Sequence, residues 1–147
     1  MPPDIRSPKL KGEYVECLFL AKMLSLGYTV CKPWGDSARF DFIIEKPGHP
    51  PLRVQVKSAW GLKDRTFRVV TYFRDKRNES AWRRYDARDI DLLVAYVEPY
   101  DAWYCIPIAE VEARTICLAP HRERSKGRYE RFRDAWELME KQEPPCR

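Results

Sequence analysis

Residues 39–59, RFDFIIEKPGHPPLRVQVKSA, constrain the fold of this chain more than any other stretch. Apolar and polar residues alternate over 40–45 and again over 52–57, and a period of two is typical of strands with one buried face. The prolines and the glycine between the two runs exclude one continuous helix. The pattern therefore predicts an antiparallel hairpin with its turn centred near Gly48 and His49.

Three polar side chains converge at the end of this predicted hairpin that is remote from the turn. Equal steps back from the turn place Asp41 opposite Gln55 or Lys57. A carboxylate and an amide oxygen suit Mg²⁺, which usually takes one or two protein ligands and keeps several waters. The backbone carbonyl of Val56 is a third candidate ligand. Lys57 would lie beside the metal-bound water or a scissile phosphate, where an ammonium orients a nucleophile and offsets negative charge.

Such a set of groups suits phosphodiester hydrolysis by a metal-bound water. The competing interpretation is a strand with ordinary exposed polar residues, because so short a pattern also arises by chance. The sequence has no glycine-rich phosphate loop and no nucleophile-elbow motif, and its two histidines have no partner at metal-ligand spacing. These absences argue against nucleotide hydrolysis, serine hydrolase chemistry and an HNH-type nuclease.

Composition sets the broad class of the chain. Its 147 residues fit one domain with a substantial core, and its net charge of +5 permits a polyanionic partner without requiring one. The five cysteines are odd in number and lack C-x-x-C spacing, which predicts a reduced, cytoplasmic protein without a structural zinc site. Neither a signal peptide nor a long apolar run is present, so no membrane association is expected.

The remaining elements follow from periodicity and capping residues. A helix is predicted over about 8–26, with Ser7 as its N-cap and Gly27 at its C-terminal end. A second helix is predicted over about 129–141, where apolar residues recur every three to four positions. Besides the hairpin, strands are predicted at 28–32, 66–73, 89–97, 103–108 and 115–118. This order predicts a single α/β (α+β) domain over 1–147, with a mixed sheet flanked by the two helices.

Several segments together resemble a known group of enzymes. KGEYVE (11–16), the pair 27–44 and 52–59, and the later apolar segments 85–97 and 103–108 follow one another in a distinctive order. In these segments, which span most of the chain, the sequence resembles the PD-(D/E)XK nuclease superfamily. Within the superfamily it is most similar to the group I intron-encoded endonuclease branch, and it is also similar to archaeal Holliday-junction resolvases.

The motif of this chain reads Asp41…Gln55-Val56-Lys57 and departs from the superfamily pattern at two positions. Phe40, rather than a proline, precedes Asp41. Gln55 occupies the position of the usual acidic residue and removes one negative charge from the metal site. The intron-encoded endonuclease branch is known for this glutamine, so the second departure favours that branch.

The resemblance implies a restriction-endonuclease-like core and an enzyme that cleaves double-stranded DNA with Mg²⁺, or alternatively Mn²⁺. Such a homing-endonuclease-like enzyme would leave 5′-phosphate and 3′-hydroxyl ends. Glu16 matches the acidic residue of the first core helix and would bind the metal directly or through water. Glu13 and Asp36 are weaker candidates for the same role. The small size of the chain predicts a homodimer or homotetramer that acts on two strands.

Basic segments are candidates for contact with DNA phosphates, which supply most of the sequence-independent affinity of DNA-binding proteins. Within 74–84, arginines lie beside aromatic residues that could stack on nucleic acid. The alternative for each single residue is a solvated basic surface. The residues predicted to contact DNA are Arg39, Arg53, Ser58, Lys76, Arg77, Arg83 and Arg84.

Three other functions stay open on the sequence alone. A junction resolvase would use the same chemistry on branched DNA. A catalytically inert DNA-binding module of the same fold would result if the missing carboxylate abolished metal binding. A protein that keeps the fold for interaction alone would bind no DNA.

Overall fold

The computed structural model describes residues 5–75 and 81–141. Its first element is helix α1, Pro8–Ser25. The hydroxyl of Ser7 accepts a hydrogen bond from the backbone N–H of Leu10 at 3.5 Å, as expected of an N-cap residue. Gly27 follows the helix with φ of 82°, a left-handed conformation that glycine adopts without steric cost. Both predicted ends of the first helix are therefore confirmed.

Ten strands follow in the described residues. Five of them form the central sheet in the order β1-β2-β3-β8-β9, and the other five form the separate sheets β10-β5-β4 and β6-β7. The strands are β1 (Thr29–Cys31), β2 (Phe42–Glu45), β3 (Leu52–Ser58), β4 (Trp60–Gly61), β5 (Phe67–Val70), β6 (Tyr72–Arg74), β7 (Trp82–Arg84), β8 (Leu92–Val97), β9 (Ala102–Pro107) and β10 (Thr115–Leu118).

The predicted hairpin is confirmed as β2 and β3, which pair in antiparallel fashion with Phe42 opposite Val54. The turn closes with a hydrogen bond from the N–H of His49 to the carbonyl of Lys46 at 3.0 Å, and Gly48 has φ of 82°. The central sheet is mixed because β3 and β8 run parallel, whereas its other pairs are antiparallel.

The two faces of the central sheet have different covers. On one face α1 packs its buried Phe19 and Met23 against a cluster that includes Val54 and Val56 of β3. Alternate residues of a strand point to opposite faces, so Gln55 and Lys57 point away from α1. On that opposite face the small sheets and the segment around 129–132 form a second hydrophobic cluster.

The predicted helix at 129–141 is wrong. The chain forms two 3₁₀ turns there, Glu130–Phe132 and Trp136–Met139, separated by Asp134 with φ of 51°. The reason is the carboxylate of Glu130, which is almost completely buried. It accepts hydrogen bonds from the hydroxyl of Tyr104 at 2.8 Å and the N–H of Ala119 at 2.6 Å. The hydrogen bonds that satisfy these buried oxygens hold the segment in its irregular path.

The other differences concern short strands. The segment predicted as one strand at 66–73 is two, β5 and β6, and neither β4 nor β7 was expected. The described residues contain one α-helix, so a mixed sheet with a helix on one face and small sheets on the other replaces the predicted pair of flanking helices. No helix within 5–75 or 81–141 is long and apolar enough to cross a membrane.

Candidate active site

The structure brings Asp41 and Gln55 into direct contact. The backbone N–H of Asp41, immediately before β2, donates to the carbonyl of Val54 at 2.8 Å and so extends the hairpin ladder by one residue. The Oδ2 atom of Asp41 accepts hydrogen bonds from Nε2 of Gln55 at 2.7 Å and from the backbone N–H of Val56 at 2.8 Å. Of the two pairings that the sequence allowed, Asp41 therefore lies opposite Gln55.

The carbonyl oxygen of Val56 belongs to the same cluster, 3.4 Å from Nε2 of Gln55. Two oxygens of different residues thus face one amide nitrogen. Rotating the amide of Gln55 by half a turn would exchange its nitrogen for its oxygen, and both orientations occupy the same space. Three oxygens, one of them from a carboxylate, would then converge on one point, which is the ligand chemistry of a hard divalent cation.

This ligand set contains a single carboxylate. Accordingly, no group of three or more histidine, cysteine, aspartate or glutamate side chains is placed to hold a metal anywhere in the described part of the chain. The residues present still fit Mg²⁺, because this ion takes few protein ligands and neutral oxygens serve it as well as charged ones.

Burial raises the pKa of Asp41 from 3.8 to about 6, which reflects the cost of a negative charge away from water. The hydrogen bond from Val56 and the positive charges of Lys57 and Lys32 oppose this effect, whereas the negative charge of Glu16 adds to it. A cation bound at this carboxylate would offset the cost of burying its charge.

Lys57 extends from the same face of β3 as Gln55. Burial lowers the pKa of Lys57, and the charge of Asp41 acts in the opposite direction. The ammonium lies 5.4 Å from the centre of the Tyr85 ring. The candidate site therefore contains one buried carboxylate and one partly desolvated ammonium that attract each other.

Glu16 reaches the edge of this site from α1. Its Oε2 atom accepts a hydrogen bond from Nζ of Lys32 at 2.7 Å, and about a quarter of its side chain is exposed. Glu16 and Lys32 both influence the pKa of Asp41, which places their charges near its carboxylate. The weaker candidates Glu13 and Asp36 are both exposed to solvent.

Lys32 was missed in the sequence because its position depends on how β1 pairs with β2. It directly follows β1, whose last pair joins Cys31 to Ile43. One step further along, Lys32 after β1 lies opposite Phe42, the first residue of β2. The ammonium of Lys32 lies 5.0 Å from the centre of the Phe42 ring. Only the register between β1 and β2 places this lysine one step from Asp41, and the sequence pattern did not give that register.

The predicted DNA-contacting residues have different environments. Arg53 is engaged within the protein: it forms two hydrogen bonds to the Asp91 carboxylate and donates to the carbonyls of Arg88 and Ala87 at 2.8 Å. Arg84 is exposed, and Ser58 ends β3. Lys76 and Arg77 lie outside the described residues.

Arg39 and Arg83 are both held beside Asp75. Their closest distances to its carboxylate are 3.3 Å and 3.7 Å, and Arg83 also binds Asp89 at 2.7 Å. These two arginines therefore have partners within the chain, and their contact with DNA stays a prediction.

The comparisons with known proteins agree with this geometry. A family model described as PD-(D/E)XK endonuclease matches residues 6–139. The solved structure of a bacterial homing endonuclease, I-Ssp6803I, is similar to this chain with a TM-score of 0.78 and 32% sequence identity. The similarity covers 92% of this chain and 94% of that one. The mixed α+β fold is thus the restriction-endonuclease-like fold of that enzyme. No curated protein matches the chain.

Proposed function

This chain belongs to the PD-(D/E)XK endonuclease family and is an endonuclease, and from that premise we propose that it hydrolyses double-stranded DNA with Mg²⁺ in the manner of a homing endonuclease. The observation that carries the proposal is the convergence of Asp41, Gln55 and the Val56 carbonyl beside the Lys57 ammonium. PD-(D/E)XK nucleases generally use divalent metals, and this oxygen set suits Mg²⁺ or, alternatively, Mn²⁺.

In the proposed mechanism Asp41, Gln55 and the carbonyl of Val56 would hold the metal ion, and Glu16 would support it from α1 directly or through water. A bound divalent ion lowers the pKa of its water and polarises a phosphoryl oxygen. Lys57 then orients the attacking water and offsets the negative charge that develops on the phosphate. The resemblance to the family implies that hydrolysis would leave 5′-phosphate and 3′-hydroxyl ends.

The proposed DNA contacts combine exposed and internally paired residues. Arg84 is exposed on β7 and supports a direct phosphate contact. The net charge of +5 supports binding that weakens as salt rises. We propose that the protein acts as a homodimer or homotetramer, because one chain carries one candidate site and a duplex has two strands. We also propose that it acts in the cytoplasm, as its cysteine pattern predicts. The other proposed DNA contacts are Arg39, Arg53, Ser58, Lys76, Arg77 and Arg83.

The test is cleavage of supercoiled plasmids that carry randomised inserts, with and without Mg²⁺. Wild type should cut a subset of the plasmids only with the metal. Lys57→Ala should lower the rate by about two orders of magnitude or more, because it removes a charge that acts in the transition state. Lys141→Ala, an exposed lysine outside the site, is the matched control and should cut as wild type does. Equal cutting by wild type and Lys57→Ala would exclude the proposed role of Lys57.

Two further measurements separate the other functions. Relaxed four-way junctions added to the same assay would show a junction resolvase if cutting were confined to them. Calorimetry with Mg²⁺ should show saturable binding that Asp41→Ala abolishes. Absence of binding in wild type would instead indicate an inert module of the same fold.

A further inference from the structure

Two tilted aromatic rings connect the candidate site to the paired strands β6 and β7. Lys57 lies 5.4 Å from the centre of the Tyr85 ring, and that ring lies 4.7 Å from the ring of Phe73 on β6. Neither Tyr85 nor Phe73 belongs to the predicted set of metal ligands. Tyr85 is the member of the second hydrophobic cluster whose ring the ammonium contacts.

Phe73 is held in turn by two guanidinium groups. The Cζ atom of Arg39 lies 4.4 Å and that of Arg83 lies 4.8 Å from the centre of its ring. Both arginines bind the carboxylate of Asp75, the residue that follows β6. These contacts fix the position of Phe73, and a fixed Phe73 limits the movement of the Tyr85 ring that packs on it.

Tyr85 is anchored along its backbone as well. Its N–H donates to the carbonyl of Thr71 at 3.0 Å, and its side chain is only 6% exposed. Burial and the negative charge of Asp41 raise the pKa of Tyr85 to about 12, so the phenol stays neutral. The effect of Asp41 on this pKa indicates that the phenol lies near the carboxylate of the site. A rigid, neutral ring thus faces a lysine that has partly lost its water.

We propose that Tyr85 is a positioning residue of the active site: its ring holds the Lys57 ammonium against Asp41, and Phe73 holds the ring. An aromatic face attracts an ammonium, and the attraction strengthens when water is excluded. The inference rests on the proposed role of Lys57. It implies that strands β6 and β7, which carry the DNA-contact candidates Arg83 and Arg84, are connected to Lys57 through the rings of Phe73 and Tyr85.

The test compares Tyr85→Leu, which removes the ring, with Tyr85→Phe, which keeps it. On DNA that wild type cleaves, Tyr85→Leu should lower the single-turnover rate by about tenfold and leave DNA affinity unchanged. Tyr85→Phe should restore the wild-type rate. Tyr129→Leu is the matched control, because Tyr129 is a tyrosine of the same cluster that is 5% exposed, and it should cleave at the wild-type rate below its melting temperature.

A second measurement does not depend on cleavage. The ring current of Tyr85 should shift the ε-methylene proton resonances of Lys57 upfield in wild type and in Tyr85→Phe, and the shift should disappear in Tyr85→Leu. A folded Tyr85→Leu variant with the wild-type cleavage rate, or with an unchanged Lys57 resonance, would overturn the inference. If wild type cleaved no DNA, the proposed function would fail, and the Lys57 resonance would still decide whether Tyr85 holds this lysine.

Discussion

Gln55 allows this site to have a single carboxylate at its centre. Its amide donates to the buried Asp41 at 2.7 Å, which partly satisfies a charge that burial disfavours. A second carboxylate at that distance would repel the first unless a cation lay between them. The glutamine therefore limits the electrostatic cost of the site when no metal is bound.

Asp41→Asn should stabilise the metal-free protein at pH 8. The pKa of Asp41 is higher in the folded chain, about 6, than its ordinary value of 3.8, so the folded state binds the proton more tightly. Stability contributed by this group is therefore present below pH 4 and lost as the pH rises through 6. The change in pKa corresponds to about 3 kcal/mol at pH 8.

Urea unfolding of wild type and Asp41→Asn in a metal chelator, at pH 8 and at pH 4, measures this difference. Asp41→Asn should be the more stable protein at pH 8, and the difference should nearly vanish at pH 4. A variant that is less stable than wild type at pH 8 would contradict the assignment of a strained buried carboxylate. The same variant should bind no Mg²⁺.

At the scale of the residue, the alternating pattern of the hairpin predicted that Asp41 lies opposite Gln55 or Lys57, and the structure shows the contact with Gln55. The pattern did not reveal Lys32 or Tyr85. Lys32 depends on the register of β1 against β2, and Tyr85 depends on where the β6–β7 hairpin packs. Both placements arise from pairing between distant segments, which a local period cannot specify.

Among the elements, the segment after β10 depends on one buried glutamate. Gly127 lies so close to Glu130 that a Cβ atom there would collide with the Cγ atom of the glutamate. Gly127→Ala should therefore lower the free energy of unfolding by about 1–3 kcal/mol, because the glutamate would have to shift away from Tyr104 and Ala119.

Gly12→Ala is the control for this prediction, since it makes the same substitution inside α1. No atom lies within 4 Å of a Cβ placed there, so the change should stabilise the protein by about 0.5–1 kcal/mol through helix propensity. Thermal unfolding of the two variants should move in opposite directions. Equal effects would show that the contact with Glu130 does not restrict Gly127.

Arg53 on β3 and Arg84 on β7 should respond differently to substitution. Arg53→Met should lower stability by about 1–3 kcal/mol, because the partly buried Asp91 would lose its charged partner. Arg84→Ala should leave the free energy of unfolding unchanged and weaken DNA binding. The salt dependence of its DNA affinity should correspond to the release of about one counterion fewer than in wild type. Mobility-shift titrations at several salt concentrations, with chemical unfolding of each variant, separate the two effects. A stability loss in Arg84→Ala would contradict its placement on the surface.

The elements that were predicted correctly are those with strong local signals. α1 has a capping serine, a proline in its first turn and a terminal glycine, and the hairpin has alternation and a turn. The segment 129–141 had helical spacing too, but the burial of Glu130 overrode it. Two-residue and three-residue strands such as β4 and β7 carry no period to detect.

In the proposed homodimer or homotetramer each chain contributes one site, so two chains would act together to cut both strands of a duplex. Wild type mixed with an excess of Lys57→Ala should therefore give nicked plasmid in place of double-strand breaks, because most assemblies would contain at most one active site. Agarose electrophoresis resolves the two products, and Lys141→Ala in the same excess is the control. Undiminished double-strand breakage would show that one chain cuts both strands.

The sequence correctly indicated the α+β class and a mixed sheet, because the apolar strands and the first helix were evident. The second layer was not foreseen. It is formed by β5, which pairs locally with β4 and also pairs with β10 across a long segment that contains β8 and β9. Without those pairings the sequence could not show what covers the face that bears Gln55 and Lys57.

The parallel pairing of β3 with β8 has a consequence for the timing of synthesis. A nascent chain that has left the ribosome only as far as Ser58 already contains every proposed ligand, yet it lacks the strand that lies against Gln55 and Lys57. Parallel strands need a long connection, and such distant contacts form slowly. The strand that carries Gln55 and Lys57 therefore gains its parallel neighbour only after β8 has been synthesised.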